Sequence, residues 1–256
     1  MLLNGKVCIV AGAAREKGIG NATARLFAEH GAKIVIADRS SNPETATRLI
    51  AELEAAGFPG AEVMGVACDI TKGDDCVHLV EAAIERFGRL DVLVNSAGIV
   101  DSHGLLDITS DQFDQMIAVN LKGAFNLCQS VLRAFVAQGD GVIVNLASLA
   151  AQRGGGLVGG SHYASAKGGV VSLTRSIARE FGPKGIRANI ICPAMAQTAM
   201  IDGMTQNQID NIVSDIPLRR LGTPREVAGA CLFLASELSG FVTGATIDVN
   251  GGLHIH

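Results

Sequence analysis

The stretch Val7-Cys8-Ile9-Val10-Ala11-Gly12-Ala13-Ala14-Arg15-Glu16-Lys17-Gly18-Ile19-Gly20 decides how the chain folds. Its first five residues are apolar without alternation, the pattern of a strand covered on both faces of a parallel sheet. Gly12, Gly18 and Gly20 then mark a turn, and Ile19, Ala22, Leu26 and Phe27 recur beyond it at helical spacing.

The same alternation continues outward. Lys33–Ala37, Val92–Val94, Val142–Leu146, Ala188–Ile191 and Thr246–Val249 read as further strands, with Ala61–Val66 a weaker one. Between them Val77, Val80, Ile84 and Phe87 recur at helical spacing, as do Val170, Leu173, Thr174, Ile177 and Phe181. Gly31, Gly88 and Gly182-Pro183 stand where helices stop. Thr109 with Gln112, and Thr223-Pro224 with Glu226, read as capping boxes that open helices. No linker or low-complexity tract interrupts the pattern, so residues 1–256 read as one doubly wound α/β domain.

Composition narrows the function. A chain that is 48% hydrophobic and 18% charged has a sizeable core, and a formal charge of −4 offers no basic stripe for nucleic acid. No apolar run reaches transmembrane length, and Met1-Leu2-Leu3-Asn4-Gly5-Lys6 lacks the regions of a signal peptide. The six cysteines are dispersed without CxxC pairs and sit mostly in apolar contexts, as small buried hydrophobes do. The reading is a cytoplasmic protein that takes no metal, nucleic acid or membrane partner.

Glycines at a strand-to-helix turn let the backbone approach a pyrophosphate, and the helix behind them offers free N–H groups and a favourable dipole. Asp38 follows 18 residues after Gly20, at the end of the next strand. There it is either a strand-end polar residue or an acceptor for adenosine ribose hydroxyls. Together the two features indicate a dinucleotide site in a cofactor half of about 1–150. A carboxylate at position 38 repels a 2′-phosphate and favours NAD over NADP. Arg15, Lys17 and Arg39 pull the other way.

The second half, about 140–256, carries the chemistry. Its centre is Tyr163-Ala164-Ser165-Ala166-Lys167, which holds the only tyrosine of the chain. Residues four apart share a helix face. An ammonium beside a phenol favours the phenolate and brings its pKa down from about 10 towards neutrality.

With these pieces in place, the chain resembles the short-chain dehydrogenase/reductase family over essentially its whole length. The matching segments run in the family's order: Gly12 to Gly20, Asp69 in Cys68-Asp69-Ile70, Asn95-Ser96-Ala97-Gly98, Asn120, Ser148, Tyr163 with Lys167, and Pro193 to Thr198. The resemblance implies a Rossmann-type domain with a seven-stranded parallel sheet and helices on both faces. It also implies a nicotinamide cofactor and a homotetramer. Tyr163 would exchange a proton with the substrate oxygen, Ser148 would orient that oxygen, and Asn120 would anchor a proton-relaying water. Lys167 would lower the pKa of Tyr163 and hold the nicotinamide ribose. Gly12, Arg15, Gly18, Ile19 and Gly20 would meet the pyrophosphate side, Asp38 the ribose, and Asp69 and Ile70 the adenine. Asn95, Ala97 and Gly98 would flank the adenosine, and Pro193, Ala196 and Thr198 would cover the nicotinamide.

Departures from the family pattern fall at the site. The glycine turn is two residues longer than the common version, and Ser148 lies 15 positions before Tyr163, about two more than usual. Residues 199–218 read as a substrate lid, with Met195, Met200 and Met204 as apolar lining. Arg153, His162 and Met200 are the substrate-contact candidates beside Ser148. The substrate implied is a small secondary alcohol, polyol, sugar or hydroxy acid, with a 3-oxoacyl thioester as the alternative. A non-catalytic dinucleotide-binding regulator is a third reading, disfavoured because tyrosine, lysine and serine are all present. The apolar, glycine-containing tail through His254 and His256 reads as a subunit contact.

Overall fold

The computed structural model describes residues 1–155, 158–198 and 201–255. In it β1 (Val7–Ala11) runs into the glycine turn and α1 (Ile19–Glu29) leaves it. Then follow β2 (Lys33–Asp38), α2 (Pro43–Ala55), β3 (Val63–Ala67), α3 (Gly73–Phe87), β4 (Val92–Asn95), α4 (Ser110–Ile117) and α5 (Gly123–Gln138). The second half holds β5 (Gly141–Leu146), α6 (Ala150–Arg153), α7 (Ser161–Phe181), β6 (Ile186–Pro193), α8 (Gln206–Asp215), α9 (Pro224–Ala235) and β7 (Thr246–Val249).

Among the described residues the seven strands form one parallel sheet in the order β3-β2-β1-β4-β5-β6-β7. Side chains alternate between the faces of a strand, so each strand feeds two cores. Cys8 and Val10 pack with Phe27, Leu49 and Leu234 beneath α1, α2 and α9. Val7, Ile9 and Ala11 pack with Leu79, Val131 and Ile177 beneath α3, α5 and α7. Helices on both faces explain why β1 is apolar throughout and the other inner strands are mostly so.

β6 extends beyond the Ala188–Ile191 core on both sides. Its Arg187 disguises the strand, because the half-buried guanidinium donates to the carbonyls of Leu234, Ser236 and Val242. Both expected capping boxes form, and a third, Thr205 with Gln208, opens α8 within the lid segment. Between α4 and α5 the helix widens into a π turn at Ala118–Lys122. No helix among the described residues is long and apolar enough to cross a membrane.

The chain reverses its direction of travel across the sheet between β1 and β4, where Ala11 pairs with Asn95. In open parallel sheets ligands bind at such a point, outside the carboxyl ends of the strands. Ala11, Asp38, Asn95, Leu146 and Pro193 all lie at that rim.

Candidate active site

At the reversal point Gly12 adopts φ +77, and a Cβ there would lie 2.7 Å from the Ala97 nitrogen. Only glycine lets the turn after β1 close against the turn after β4. Asn95 holds that second turn, its Oδ1 accepting from Ala97 N at 3.2 Å. The N-terminus of α1 has no side-chain cap and no acidic residue in its first turn, whereas α2, α4, α8 and α9 are capped by Asn42, Thr109, Thr205 and Thr223. Its leading N–H groups are left for an anion. Gly18, Ile19 and Gly20 stand at this end.

The lengthened turn is tied down from α2. Arg48 donates to the Ala14 carbonyl at 2.9 Å and lies 3.3 Å from the Glu16 carboxylate. Arg15 is exposed, and its carbonyl accepts from Gly18 N at 2.9 Å. Lys17 lies 3.8 Å from Asp202, at the start of the lid. Asp38 ends β2, its Oδ1 accepting from Ser40 N at 3.2 Å and Ser40 Oγ at 3.1 Å. Its other carboxylate oxygen has no hydrogen-bond partner among the described residues. Asp69 accepts from Thr71 Oγ1 at 2.7 Å and Thr71 N at 3.0 Å, bonds that hold its carboxyl below the usual range. Asn126 fixes the neighbouring Ile70 carbonyl at 2.9 Å. These residues fit a dinucleotide lying across the rim.

The chemistry-bearing residues come from three elements. Ser148 stands two residues beyond β5, its Oγ accepting from Ala150 N at 3.1 Å. Its hydroxyl stands beside that of Tyr163, in the first turn of α7, and favours the phenolate. One turn further on, Lys167 is buried and donates to the Leu146 carbonyl at 2.8 Å. Asn120 sits in the π turn, and a Cβ on Gly98 would lie 2.5 Å from its Oδ1 and 3.4 Å from the Lys167 ammonium. The turn after β4, the π turn and α7 thus meet at one point. Asn120 is locked there, accepting from Ile99 N at 3.2 Å and donating to Ile99 O at 3.0 Å and Met116 O at 3.3 Å.

One expectation needs correction. Lys167 does not bring the phenol down in this structure: burial raises the Tyr163 hydroxyl above its ordinary value, and the Ser148 hydrogen bond opposes that rise only in part. The amine is itself pushed down, to about 8, by its own burial. Desolvation disfavours the charged form of both groups, and the amine's first partner is a backbone carbonyl.

The loop beyond β6 closes the far wall. Pro193 O accepts from Leu149 N at 3.0 Å, Ala196 forms an isolated parallel bridge with Gly222, and Thr198 N donates to Ala196 O at 2.8 Å. The lid core joins Met195, Ile201, Met204, Ile209, Ile212 and Ile216, and Leu253 of the tail packs into it. That tail contact went unseen because a lone leucine after a strand carries no signal of its partner. Two substrate candidates are redirected. The His162 side chain has no exposed surface and cannot touch a ligand in this state. Arg153 reaches towards the tail, its Nη1 3.5 Å from Leu253 O. Met200 and His256 lie outside the described residues.

The family model for enoyl-(acyl carrier protein) reductase matches residues 12–254. An uncharacterized short-chain type dehydrogenase/reductase of Sinorhizobium fredii is 43% identical, with both chains covered in full. The chain belongs to the short-chain dehydrogenase/reductase family. Another relative, a 3-oxoacyl-[acyl-carrier-protein] reductase of Thermotoga maritima, is 40% identical over the whole of both chains. The solved structure of a 3-oxoacyl-[acyl-carrier protein] reductase from Brucella melitensis superposes with a TM-score of 0.88 at 34% identity, covering 100% of this chain and 95% of that one. As a short-chain dehydrogenase/reductase the protein is an oxidoreductase of a family that binds a nicotinamide dinucleotide.

Proposed function

We propose that the protein interconverts a secondary alcohol and its ketone with NAD, Tyr163 acting as the general acid and base. The observation that carries this reading is the meeting of Tyr163, with Ser148 beside it, and the buried Lys167 amine one turn further along α7. When bound, the nicotinamide supplies or accepts the hydride. Tyr163 takes the proton of the substrate hydroxyl in oxidation and returns it to the carbonyl oxygen in reduction. Ser148 holds that oxygen by a hydrogen bond as charge develops on it. Lys167 holds the nicotinamide ribose, and Asn120 anchors the water that carries protons to and from the amine. The open carboxylate oxygen of Asp38 supports NAD over NADP.

The substrate of this reading is a small polyol, sugar or hydroxy acid. A 3-oxoacyl thioester, reduced by the same groups, is the second reading, favoured by the names of the Thermotoga and Brucella relatives. We further propose a homotetramer. Its support is the apolar groove of Phe125, Leu132, Val136, Leu173, Ile177 and Phe181 between α5 and α7. The fully exposed Phe241 and the largely exposed Leu238, ahead of β7, offer a second apolar contact. Six cysteines held as free, buried thiols support a cytoplasmic setting.

A screen with NAD, NADP and their reduced forms over polyols, sugars, hydroxy acids and a short 3-oxoacyl thioester tests substrate and cofactor together. Tyr163→Phe is expected to lower kcat by about 10²–10⁴-fold while cofactor affinity stays within a factor of two. A Tyr163→Phe enzyme within a few-fold of wild type refutes the assignment.

A further inference from the structure

His162 immediately precedes Tyr163, and its imidazole is wholly buried. Neither ring nitrogen has a hydrogen-bond partner among the described residues. Buried polar groups are paired as a rule, and an orphan calls for a physical reason. The charged group beside it is Asp101, whose Oδ2 lies 3.6 Å from His162 Nε2. That separation is too long for a hydrogen bond, and it is within ion-pair range when the imidazole carries a second proton. The other oxygen of Asp101 faces His103 Nδ1 at 2.5 Å, so one carboxylate serves two imidazoles.

The backbones around these side chains are stitched together. Gly160 N donates to the Asp101 carbonyl at 2.7 Å, and Gly159 N donates to Ser102 Oγ at 3.0 Å. Gly159 has φ +91, and a Cβ on it would come within 2.3 Å of Tyr163 Cδ1. The phenol ring therefore rests on the very segment that the Asp101–His103 loop holds. A Cβ on Gly160 would stand 3.2 Å from His162 Nδ1 and 2.6 Å from the His103 carbonyl, so the same segment packs against the imidazole.

We propose that His162, acting through Asp101, is a positioning residue for Tyr163. The pair clamps the loop after β4 onto the start of α7 and so holds the phenol beside Ser148. This rests on the acid–base reading of Tyr163 given above. Asp101 is the acidic partner of the clamp, and His103 steadies Asp101 from the solvent side.

The chain has one tyrosine and no tryptophan, so phenolate absorbance in an alkaline titration reports Tyr163 alone. His162→Phe keeps an aromatic ring of similar shape and removes both orphaned nitrogens. The expected result is a fall in kcat of about ten- to a hundred-fold, the scale of a small misplacement of a reacting group. It comes with a displaced Tyr163 titration midpoint, an NADH Kd within two-fold of wild type, and a Tm that is unchanged or raised. Asp101→Asn should reproduce both effects, and the double variant should be no worse than either single one. His162→Asn, whose amide can still face Asp101, should recover part of the loss.

A His162→Phe protein with wild-type kcat and an unmoved midpoint overturns the proposal. So does one whose losses of kcat, cofactor affinity and Tm run in parallel, since that is the mark of a packing role. Tyr163→Phe run beside it separates the two readings. If Tyr163→Phe is active, the acid–base reading falls; if it is inert while His162→Phe is fully active, only the positioning role does.

Discussion

The side-chain amide of Asn145 in β5 donates to the hydroxyl of Thr174 in α7 at 2.9 Å, in a region with no exposed surface. Asn145 lies three residues before Ser148, and Thr174 lies seven after Lys167. The bond therefore sets how far α7 slides along β5, and with it the separation of Ser148 from Tyr163. Thr174→Val keeps the shape but leaves the buried amide with only the Cys128 sulfur at 3.5 Å. The expected cost is about 1–3 kcal/mol in urea unfolding, together with a lower kcat. Thr174→Ser should retain most of both. Full activity in the valine variant would show that packing alone sets the register.

Lys167 makes stability depend on pH. Its amine titrates near 8 in the folded protein and near 10.5 when free. Below about 8 both folded and unfolded states carry the proton, and the cost of burying the charge is fully present. Across the window from about 8 to 10.5 the unfolded state binds more protons, so this contribution makes stability rise with pH. The limiting slope is about 1.4 kcal/mol per pH unit. Lys167→Met removes it. The difference in unfolding free energy between wild type and variant, followed across that window, should therefore move in favour of wild type. A flat difference would mean that the amine is solvated in the folded protein.

Cofactor preference should turn on Asp38. Its carboxylate stands at the end of β2 with Ser40 on one oxygen, while the exposed Arg39 follows it and the exposed Arg15 stands in the turn after β1. Asp38→Ala removes the negative charge and leaves the arginines to attract a 2′-phosphate. The ratio of kcat/KM for NAD to that for NADP is expected to fall by at least ten-fold, the scale of one charged interaction of about 1.4 kcal/mol. A wild-type enzyme that already prefers NADP would contradict the role given to this residue.

The tail has two expected duties that can be separated. Leu218 N donates to Gly251 O at 3.2 Å, and Leu253 packs among the apolar side chains of the lid. Leu253→Asp should raise the substrate KM and leave cofactor affinity unchanged, because the dinucleotide rim lies across β1 and β4. Deletion from Gly252 onward should do the same and, in sedimentation, also weaken the proposed tetramer. A wild-type protein that is monomeric at micromolar concentration would remove the second duty and keep the first.

What could be read from the chain was whatever depends on local pattern. A strand covered on both faces shows as an unbroken apolar run, so β1 matches its expected limits to the residue, and so does the half-buried edge strand β7. The two expected capping boxes were legible because each bond lies within four residues. Thr205-Gln206-Asn207-Gln208 carried the same signal for α8. Long-range effects were hidden. The direction of the Tyr163 shift depends on how much solvent the fold removes, and a helical i,i+4 spacing says nothing of that. Leu253 beneath the lid, Arg48 across the glycine turn and the burial of His162 all join residues far apart in sequence. The π turn has no sequence mark at all, since its hydrogen-bond register comes from packing.

That turn sets local order against chemistry. A π turn holds one more residue than the α-helical ladder on either side of it, and the extra residue is what swings Asn120 towards Gly98 and Lys167. Excising one residue from the turn would let α4 and α5 fuse into a single regular rod. The flanking helices would keep their facing, because the π turn absorbs its extra residue locally, and only the residues of the turn would be re-aimed. The straightened helix would be better hydrogen-bonded, and the asparagine would face away from the lysine. Substitutions that make this stretch more helical are therefore a route to a sturdier protein in which the proposed proton path is severed.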